Sequence, residues 1–415
     1  MIDAAVIGGG PSGLACATAL AEKGFKVCIV EINEELGGLL DQCIHDGFGT
    51  KLFDEDFSGP EFASRFIEKL EKLDVEVMLN SYVKSVDVSD VVKKIITISP
   101  EGVRRIETKS IVYAIGCRER NEFEIKIGGD RPSGVYTAGA IQRLVNIYGV
   151  LPGKNVVIVG GGDVGMIVAR HLILEGVEKI LMVYPEDFFV GLPRNVQQCV
   201  LDFDIPFKAQ TIVKRIIGSE KIDKVELVKV DENWNPIGGT EERVSCDSLV
   251  LSVGLIPYAD KLEEIDAEID NCTHGPVVNE CFETTVSGVF AIGNLLQIFD
   301  YVDDAVETAF IAADGVEKFL KKNKSKNDNV VLLKPGSNIN CLTPQRINGV
   351  LDEITVFFRP NVTVKKAEII LKNKGGKVLK KFKKPFLRPS TLEGVKIPFD
   401  VIKNEDEVFL DVQKK

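Results

Sequence analysis

One short pattern occurs twice in this chain, with its second copy starting 152 residues after the first. Residues Ile2–Ile7 are an apolar run suited to a buried strand, and Gly8-Gly9-Gly10-Pro11-Ser12-Gly13 follows at once. A helical stretch from Leu14 to Lys23 stops at Gly24, and a second apolar run, Phe25–Val30, ends on Glu31. Strand, Gly-x-Gly-x-x-Gly, helix, strand and acid, in this order, predict a dinucleotide-binding βαβ unit. Each residue type answers a physical need. Gly8 permits the tight turn, Gly10 lets a pyrophosphate approach the backbone, and Gly13 lets helix and strand pack closely. Pro11 and Ser12 open a helix whose unpaired amides would face the phosphates. Glu31 would accept hydrogen bonds from ribose hydroxyls and repel a 2′-phosphate.

In the second copy, Asn155–Val159 reads as a strand and Gly160-Gly161-Gly162-Asp163-Val164-Gly165 opens a helix ending near Gly176. Lys179–Tyr184 is the next strand. Its terminal acid is missing: Val183, Tyr184 and Pro185 stand there, Glu186 and Asp187 come later, and the nearest downstream arginine is Arg194. Without a basic cluster for a 2′-phosphate, NAD is preferred to NADP. The competing reading is a copy that kept its fold and lost its ligand; the intact glycines favour binding. Two dinucleotide sites in one chain imply a relay, with a tightly held flavin at one and an exchangeable nicotinamide at the other.

With both copies in view, the chain resembles the two-dinucleotide-binding-domain flavoproteins, the glutathione-reductase-like superfamily, over about residues 1–322. Ile111-Val112-Tyr113-Ala114-Ile115-Gly116 resembles the family's Ala-Thr-Gly return segment, with Ile115 in place of threonine. Leu249–Gly254, followed by Leu255-Ile256-Pro257, is similar to the strand and Gly-x-x-Pro that close the nicotinamide domain. Gly288-Val289-Phe290-Ala291-Ile292-Gly293-Asn294 resembles the second flavin motif, with Asn294 where the family usually has aspartate. The resemblance implies an α/β fold of two Rossmann-like domains, the second inserted into the first. FAD would be held by 1–120 with 261–322, and NAD(H) by 121–260. It also implies the sites. Gly8, Gly10, Pro11, Ser12, Gly13, Glu31, Gly38, Leu39, Val83, Ala114, Ile115, Gly116, Gly293 and Asn294 would hold FAD. Gly160, Gly162, Asp163, Val164, Gly165, Tyr184 and Gly254 would hold NAD(H). The helix after Asn294, with Ala305, Ala309, Ala312 and Val316 at helical spacing, would aim its N-terminus at the flavin pyrimidine. Asp300, Asp303 and Asp304 beside that terminus read as a solvated first turn in preference to a metal site.

Disulfide reductases of this superfamily carry paired cysteines beside the flavin, and no Cys-x-x-Cys occurs here. Gly37-Gly38-Leu39-Leu40 with Gln42–Gly49, and Gly128–Val135 with Thr137-Ala138, resemble another branch. Similar stretches occur in the FAD subunits of sarcosine oxidase, opine oxidase and hydrogen cyanide synthase. They also occur in the small flavoprotein beside anaerobic glycerol-3-phosphate dehydrogenase-like subunits, and in two-subunit NADH oxidases. Thr343-Pro344-Gln345-Arg346-Ile347 and a basic β tail favour this last pair. The branch implies a heteromeric partner, a dehydrogenase-like flavoprotein. The alternatives are a self-contained NADH oxidase reducing oxygen, and a nucleotide-responsive scaffold without turnover.

Hydride transfer between rings needs alignment more than a triad of acids and bases. Only three histidines occur, His45, His171 and His274, with no Cys/His spacing suited to zinc or an iron–sulfur cluster, so no metal is expected. Cys43 and His45 lie on the loop after Gly37-Gly38, which in the resembled fold passes near the flavin. Cys43 could contact the ring or sense oxidation, although a packed thiol is preferred. His45 divides evenly between a loop hydrogen bond and proton relay. His171 reads as structural.

Charge marks a further boundary. The chain has 51 Lys and Arg against 62 Asp and Glu, but from Val330 onward the balance is 17 against 9. The sign changes near Lys321–Asn329. Beyond it, Ile354–Phe358, Thr363–Leu371, Lys377–Phe382, Val395–Ile402 and Glu407–Val412 alternate as strands, with Asn373-Lys374-Gly375-Gly376 as a hairpin turn. Residues 330–415 are therefore expected to form a small all-β sandwich-like domain. The basic run Lys377–Arg388 reads as a hairpin face or an assembly surface, and no nucleic-acid partner is expected. No apolar run reaches the roughly 18 residues of a membrane-spanning helix, so no membrane insertion is expected. Nine cysteines without Cys-x-x-Cys pairs, and a first strand beginning at Ile2 that leaves no room for a signal peptide, lead to a reduced, cytoplasmic protein.

Overall fold

The computed structural model describes residues 1–89, 91–321 and 330–413. Most of the run Lys321–Asn329, where the charge changes sign, lies outside the described residues. The chain divides into two compact units, Met1–Cys117 with Pro257–Lys415, and Arg118–Ile256. The exchange points fall a few residues before the expected 120/121 and 260/261. The C-terminal segment groups with the first unit.

The first unit is built on a seven-stranded sheet. Val75–Met78, Val27–Val30, Ile2–Ile7 and Gly102–Tyr113 run parallel, and Val289–Ala291 joins Gly102–Tyr113 in the same sense. Lys93–Ser99 and Tyr82–Asp87 extend it antiparallel. The central parallel strands are buried runs, Val27–Val30 and Val289–Ala291 throughout and Ile2–Ile7 from Ala4 on, as expected of a sheet covered on both faces. Small residues decide the packing on one face. The helix Pro11–Glu22 buries Gly13, Ala15 and Ala17, and it packs on Val302–Leu320, which buries Ala305, Ala309, Ala312 and Ala313. Ile2–Ile7 lies between Val27–Val30 and Gly102–Tyr113, so the chain leaves it towards one side and returns on the other. In sheets wound this way, ligands bind at that switch point, outside the strands' carboxyl ends.

The second unit repeats the plan in smaller form. Phe207–Lys208, Lys179–Val183, Asn155–Val159, Ser248–Leu251 and Val135–Thr137 make a five-stranded parallel sheet. Asn155–Val159 occupies the switch position. A second sheet, Glu242–Ser245, Ile222–Lys229, Thr211–Gly218 and Gly128–Gly129, covers its other side.

The C-terminal residues fold as two sheets around a core of their own, including Val331, Ile354, Phe358, Ile369, Ile397 and Leu410. One sheet orders Arg346–Ile347, Val331–Pro335, Glu407–Gln413, Val364–Asn373 and Val378–Leu387; the other orders Ile339–Thr343, Glu353–Pro360 and Glu393–Pro398. The module is seated on the core of the seven-stranded sheet through Phe357 and Leu392, with Phe357 edge-on to Phe299 at 5.1 Å. Polar contacts fix the orientation. Arg359 donates to both Asp300 carboxylate oxygens and to the Ile298 carbonyl, while Asp300 also accepts from the Leu392 amide at 2.6 Å. Buried Glu280 accepts from the Asn348 and Val350 amides.

Candidate nucleotide-binding turns

Gly8 has φ +106, and a Cβ there would lie 2.5 Å from the Ala114 carbonyl oxygen. A Cβ on Gly13 would collide with the Gly8 carbonyl oxygen. Turn, helix start and the segment Ala114–Gly116 are thus packed backbone to backbone. Gly10 is different. It is the N-cap of Pro11–Glu22, and a Cβ there would meet nothing within 4 Å. Neither a capping side chain nor an acidic residue occupies the helix start, and Pro11 stands in the first turn. Open space in front of unpaired amides is what a pyrophosphate requires.

Glu31 is buried, its Oε2 accepting from the Gly9 amide at 2.6 Å and its Oε1 from the Asn33 backbone and side-chain nitrogens at 2.8 Å. The carboxylate braces the turn and keeps lone pairs for ribose hydroxyls. Gly38 rests on Gly10 at the start of the short helix Gly38–Gln42, with Leu39 exposed and Leu40 buried. Gly293, φ +66, donates from its amide to Thr308 Oγ1 at 2.9 Å and closes on Ser12, whose hydroxyl donates to the Ala305 carbonyl. Asn294 Oδ1 accepts from the Phe299 amide, while its Nδ2 lies 3.7 Å from Cys117 Sγ. Val83 is the outlier among the expected flavin residues, packed into the core from the antiparallel extension of the sheet.

The three aspartates near the helix Val302–Leu320 do not form a solvated turn. Asp303 is buried and accepts from the Gly49, Lys51 and Leu52 amides. Asp304 pairs with Lys51 at 2.7 Å, and Asp300 belongs to the Arg359 clamp. No metal-holding group of His, Cys, Asp and Glu occurs among the described residues. Asp303 therefore stitches the loop after His45 to this helix. No local signal in the sequence revealed that link, since it joins residues about 250 apart.

Cys43 is buried, its carbonyl accepts from the Gly59 amide, and burial with help from Asp41 pushes its thiol up to about 12. That geometry suits a packed thiol, not a reactive thiolate. His45 is half-buried, its Nδ1 2.8 Å from the Asp46 carbonyl oxygen and its ring 5.0 Å from Phe48.

Asp41, which local patterns did not single out, sits behind Gly37 with its carboxyl raised to about 6 by burial and by Glu35 and Glu31. Its folded value lies above the unfolded one, so ionisation opposes folding, and stability falls as pH rises from about 4 to about 6. Asp41→Asn is expected to stabilise the protein above pH 6, by about 1 kcal/mol after allowance for solvent screening, with no gain below pH 4. Urea midpoints of both proteins across that range check it.

In the second unit Gly160 has φ +118 and a Cβ there would collide with the Ser252 carbonyl, while Gly165 packs against Gly160 and Ser252. Gly162 caps Asp163–Leu174, with Val190 the nearest neighbour of its Cβ position at 3.9 Å. Val164 is exposed on the first turn. Asp163 Oδ1 accepts from the Leu192 amide and Asn195 Nδ2, both at 2.7 Å, so this acid positions the segment after Tyr184. The Tyr184 ring is buried beneath Gly161, 4.7 Å from Phe189, and offers core packing in place of a side chain for the nucleotide. Gly254, φ +98 and exposed, accepts the Arg120 amide through its carbonyl at 3.0 Å.

The sequence profile of the pyridine nucleotide-disulphide oxidoreductase family matches residues 2–309. The chain is 24% identical over 348 residues to the glutamate synthase [NADPH] small chain of Escherichia coli, covering 76% of this chain and 68% of that one. It is 26% identical over 356 residues to ferredoxin–NADP reductase 1 of Bacillus pumilus, covering 78% and 96%. Among solved structures, thioredoxin reductase of Lactococcus lactis superposes with a TM-score of 0.65 at 23% identity, over 78% of this chain and 100% of that one. That likeness establishes the two-Rossmann α/β fold. No described helix is long and apolar enough to cross a membrane. The chain is an oxidoreductase that uses FAD with NAD(P)H as substrate, and it belongs to the pyridine nucleotide-disulphide oxidoreductase family.

Proposed function

We propose that this chain passes hydride between NAD(H) and FAD as the pyridine-nucleotide subunit of a heteromeric, cytoplasmic redox complex. Its second redox partner would be a glycerol-3-phosphate dehydrogenase-like flavoprotein. The observation that carries the reading is the pair of glycine turns, with open space at Gly10, nothing closer than Val190 at 3.9 Å at Gly162, and no side chain capping either helix. The resemblance of Thr343–Ile347 and the basic tail to the two-subunit branch supports a partner, as does a relative that is itself named a small chain. The missing basic cluster after Val183 favours NADH, although both relatives above carry NADPH or NADP in their names.

In this reading 1–120 with 261–322 holds FAD, 121–260 holds NAD(H), and 330–415 serves assembly. The amides after Gly10 and Gly162 bind pyrophosphates, and Glu31 orients the adenosine ribose. Gly293 and Asn294, braced by Thr308 and Phe299, shape the second flavin segment. The fold supplies alignment; bound FAD supplies the two-electron chemistry.

Purification of the chain alone tests this. A yellow protein that NADH bleaches without oxygen, more readily than NADPH does, is the expected result. Slow reoxidation in air, accelerated by a co-purifying dehydrogenase, supports the subunit. Fast reoxidation alone would instead make it a self-contained oxidase, a yellow protein that NADH leaves unchanged would be a scaffold, and a colourless one would sink the flavin reading.

A further inference from the structure

We propose that Cys272 and Cys341 form an oxidisable dithiol whose closure to a disulfide latches the C-terminal β module onto the flavin-binding unit. The two residues lie far apart in sequence and outside any Cys-x-x-Cys spacing. The fold brings them together. Asp270–Gly275 is a tight loop in which the Asp270 amide donates to the Gly275 carbonyl at 2.8 Å and the His274 amide to the Asp270 carbonyl at 2.9 Å. Gln345 fixes this segment to the module, its Oε1 accepting from the Val278 amide at 3.1 Å and its Nε2 donating to Asp270 at 3.4 Å. Across from the loop, the strand Ile339–Thr343 shifts register between Ile339, opposite Pro360, and Cys341, opposite Arg359. The bulged Asn340 presents its carbonyl oxygen to Cys272 Sγ, which donates to it at 2.8 Å. That contact sets Cys272 Sγ against the peptide that joins Asn340 to Cys341.

Exposure divides the roles. Cys272 is exposed and meets an oxidant first; Cys341 is buried beside it and resolves the product. Hydrogen peroxide suffices as the oxidant. The Cys272 sulfur attacks one peroxide oxygen, the O–O bond breaks, and water leaves a sulfenic acid. The Cys341 sulfur then attacks Cys272, the S–O bond breaks, the S–S bond forms, and a second water carries away the remaining proton. Two thiols lose two electrons and two protons, and peroxide gains both. Burial and the Asp270 carboxylate hold both thiols above their ordinary range, Cys341 at about 12 despite the Arg359 guanidinium nearby. The pair therefore rests as a dithiol and closes under sustained oxidant. The closed ring spans the second flavin motif, the helix Val302–Leu320 and the link to the module.

The test uses the intact protein, treated with hydrogen peroxide, alkylated in denaturant and cut with a glutamate-specific protease, which parts Cys272 from Cys281 at Glu280. Mass spectrometry without reduction should find Cys272 and Cys341 peptides joined, two hydrogens lighter and separable by reductant. The oxidised protein should also melt about 5 °C or more higher, because the unfolded chain is constrained. C341S should leave a Cys272 sulfenic acid that dimedone traps, and C272S should show neither link nor shift. Cys272 driven to sulfinic acid without a link in the parent protein, or a link to another cysteine, would overturn the proposal.

Discussion

Gly10→Val is expected to give a protein that folds like its parent and purifies without colour. The Cβ position of Gly10 meets nothing within 4 Å, and its φ of −76 with ψ of −176 is extended backbone open to valine. The apoprotein should therefore lose no more than about 1 kcal/mol, the cost of a poorer N-cap. The branched side chain instead fills the space a pyrophosphate needs at the uncapped start of Pro11–Glu22. Overpacking of this kind costs about 1–3 kcal/mol, or roughly 5- to 150-fold in FAD affinity. Gly13→Ala is less diagnostic, since its Cβ would strike the Gly8 carbonyl and displace the turn itself. The ratio of flavin to protein absorbance, together with urea midpoints of both apoproteins, separates ligand loss from misfolding. A Gly10→Val protein that retains flavin in full would remove the first turn from the flavin site.

Local features of this molecule could be read from its sequence, and long-range ones could not. Each glycine turn is set within about 30 residues, where strand, turn and helix leave their marks side by side. The turns stand where the pattern put them. In the C-terminal module the limits follow from proline. The expected strand Lys377–Phe382 continues as Val378–Leu387 through Pro385, which is tolerated because this strand lies at the sheet edge. The expected Val395–Ile402 instead ends at Pro398 and turns through Phe399–Val401. Short strands such as Val331–Pro335 and Ile339–Thr343 offered too little alternation to register. Around the candidate site, the side chains that brace the turns were hidden for another reason. Asp303 reaches Gly49, Arg359 reaches Asp300, and Cys272 reaches Asn340. Each partner is chosen by the fold, and no periodicity of 2 or 3.6 encodes it.

Gly162→Val carries the second large effect, and it differs from the first in what survives. The variant should purify as yellow as the parent and fail to bleach at NADH concentrations that reduce the parent. Gly162 belongs to Arg118–Ile256, a unit with its own sheets and cores, so a change there leaves the turn at Gly8–Gly13 untouched. Its Cβ position has Val190 at 3.9 Å as nearest neighbour, an ordinary contact, so the first added carbon is tolerated. The two further methyls extend over the helix start, where Asp163 already holds its carboxylate to Leu192 and Asn195 and leaves the amides to an incoming phosphate. The expected loss is about 2–3 kcal/mol of nucleotide binding, seen as a KM for NADH raised about 30- to 150-fold. Reduction of the same protein by dithionite should remain complete, because that route needs no nucleotide. A Gly162→Val protein that NADH bleaches like the parent would mean that the second turn keeps the fold of a nucleotide site without its ligand.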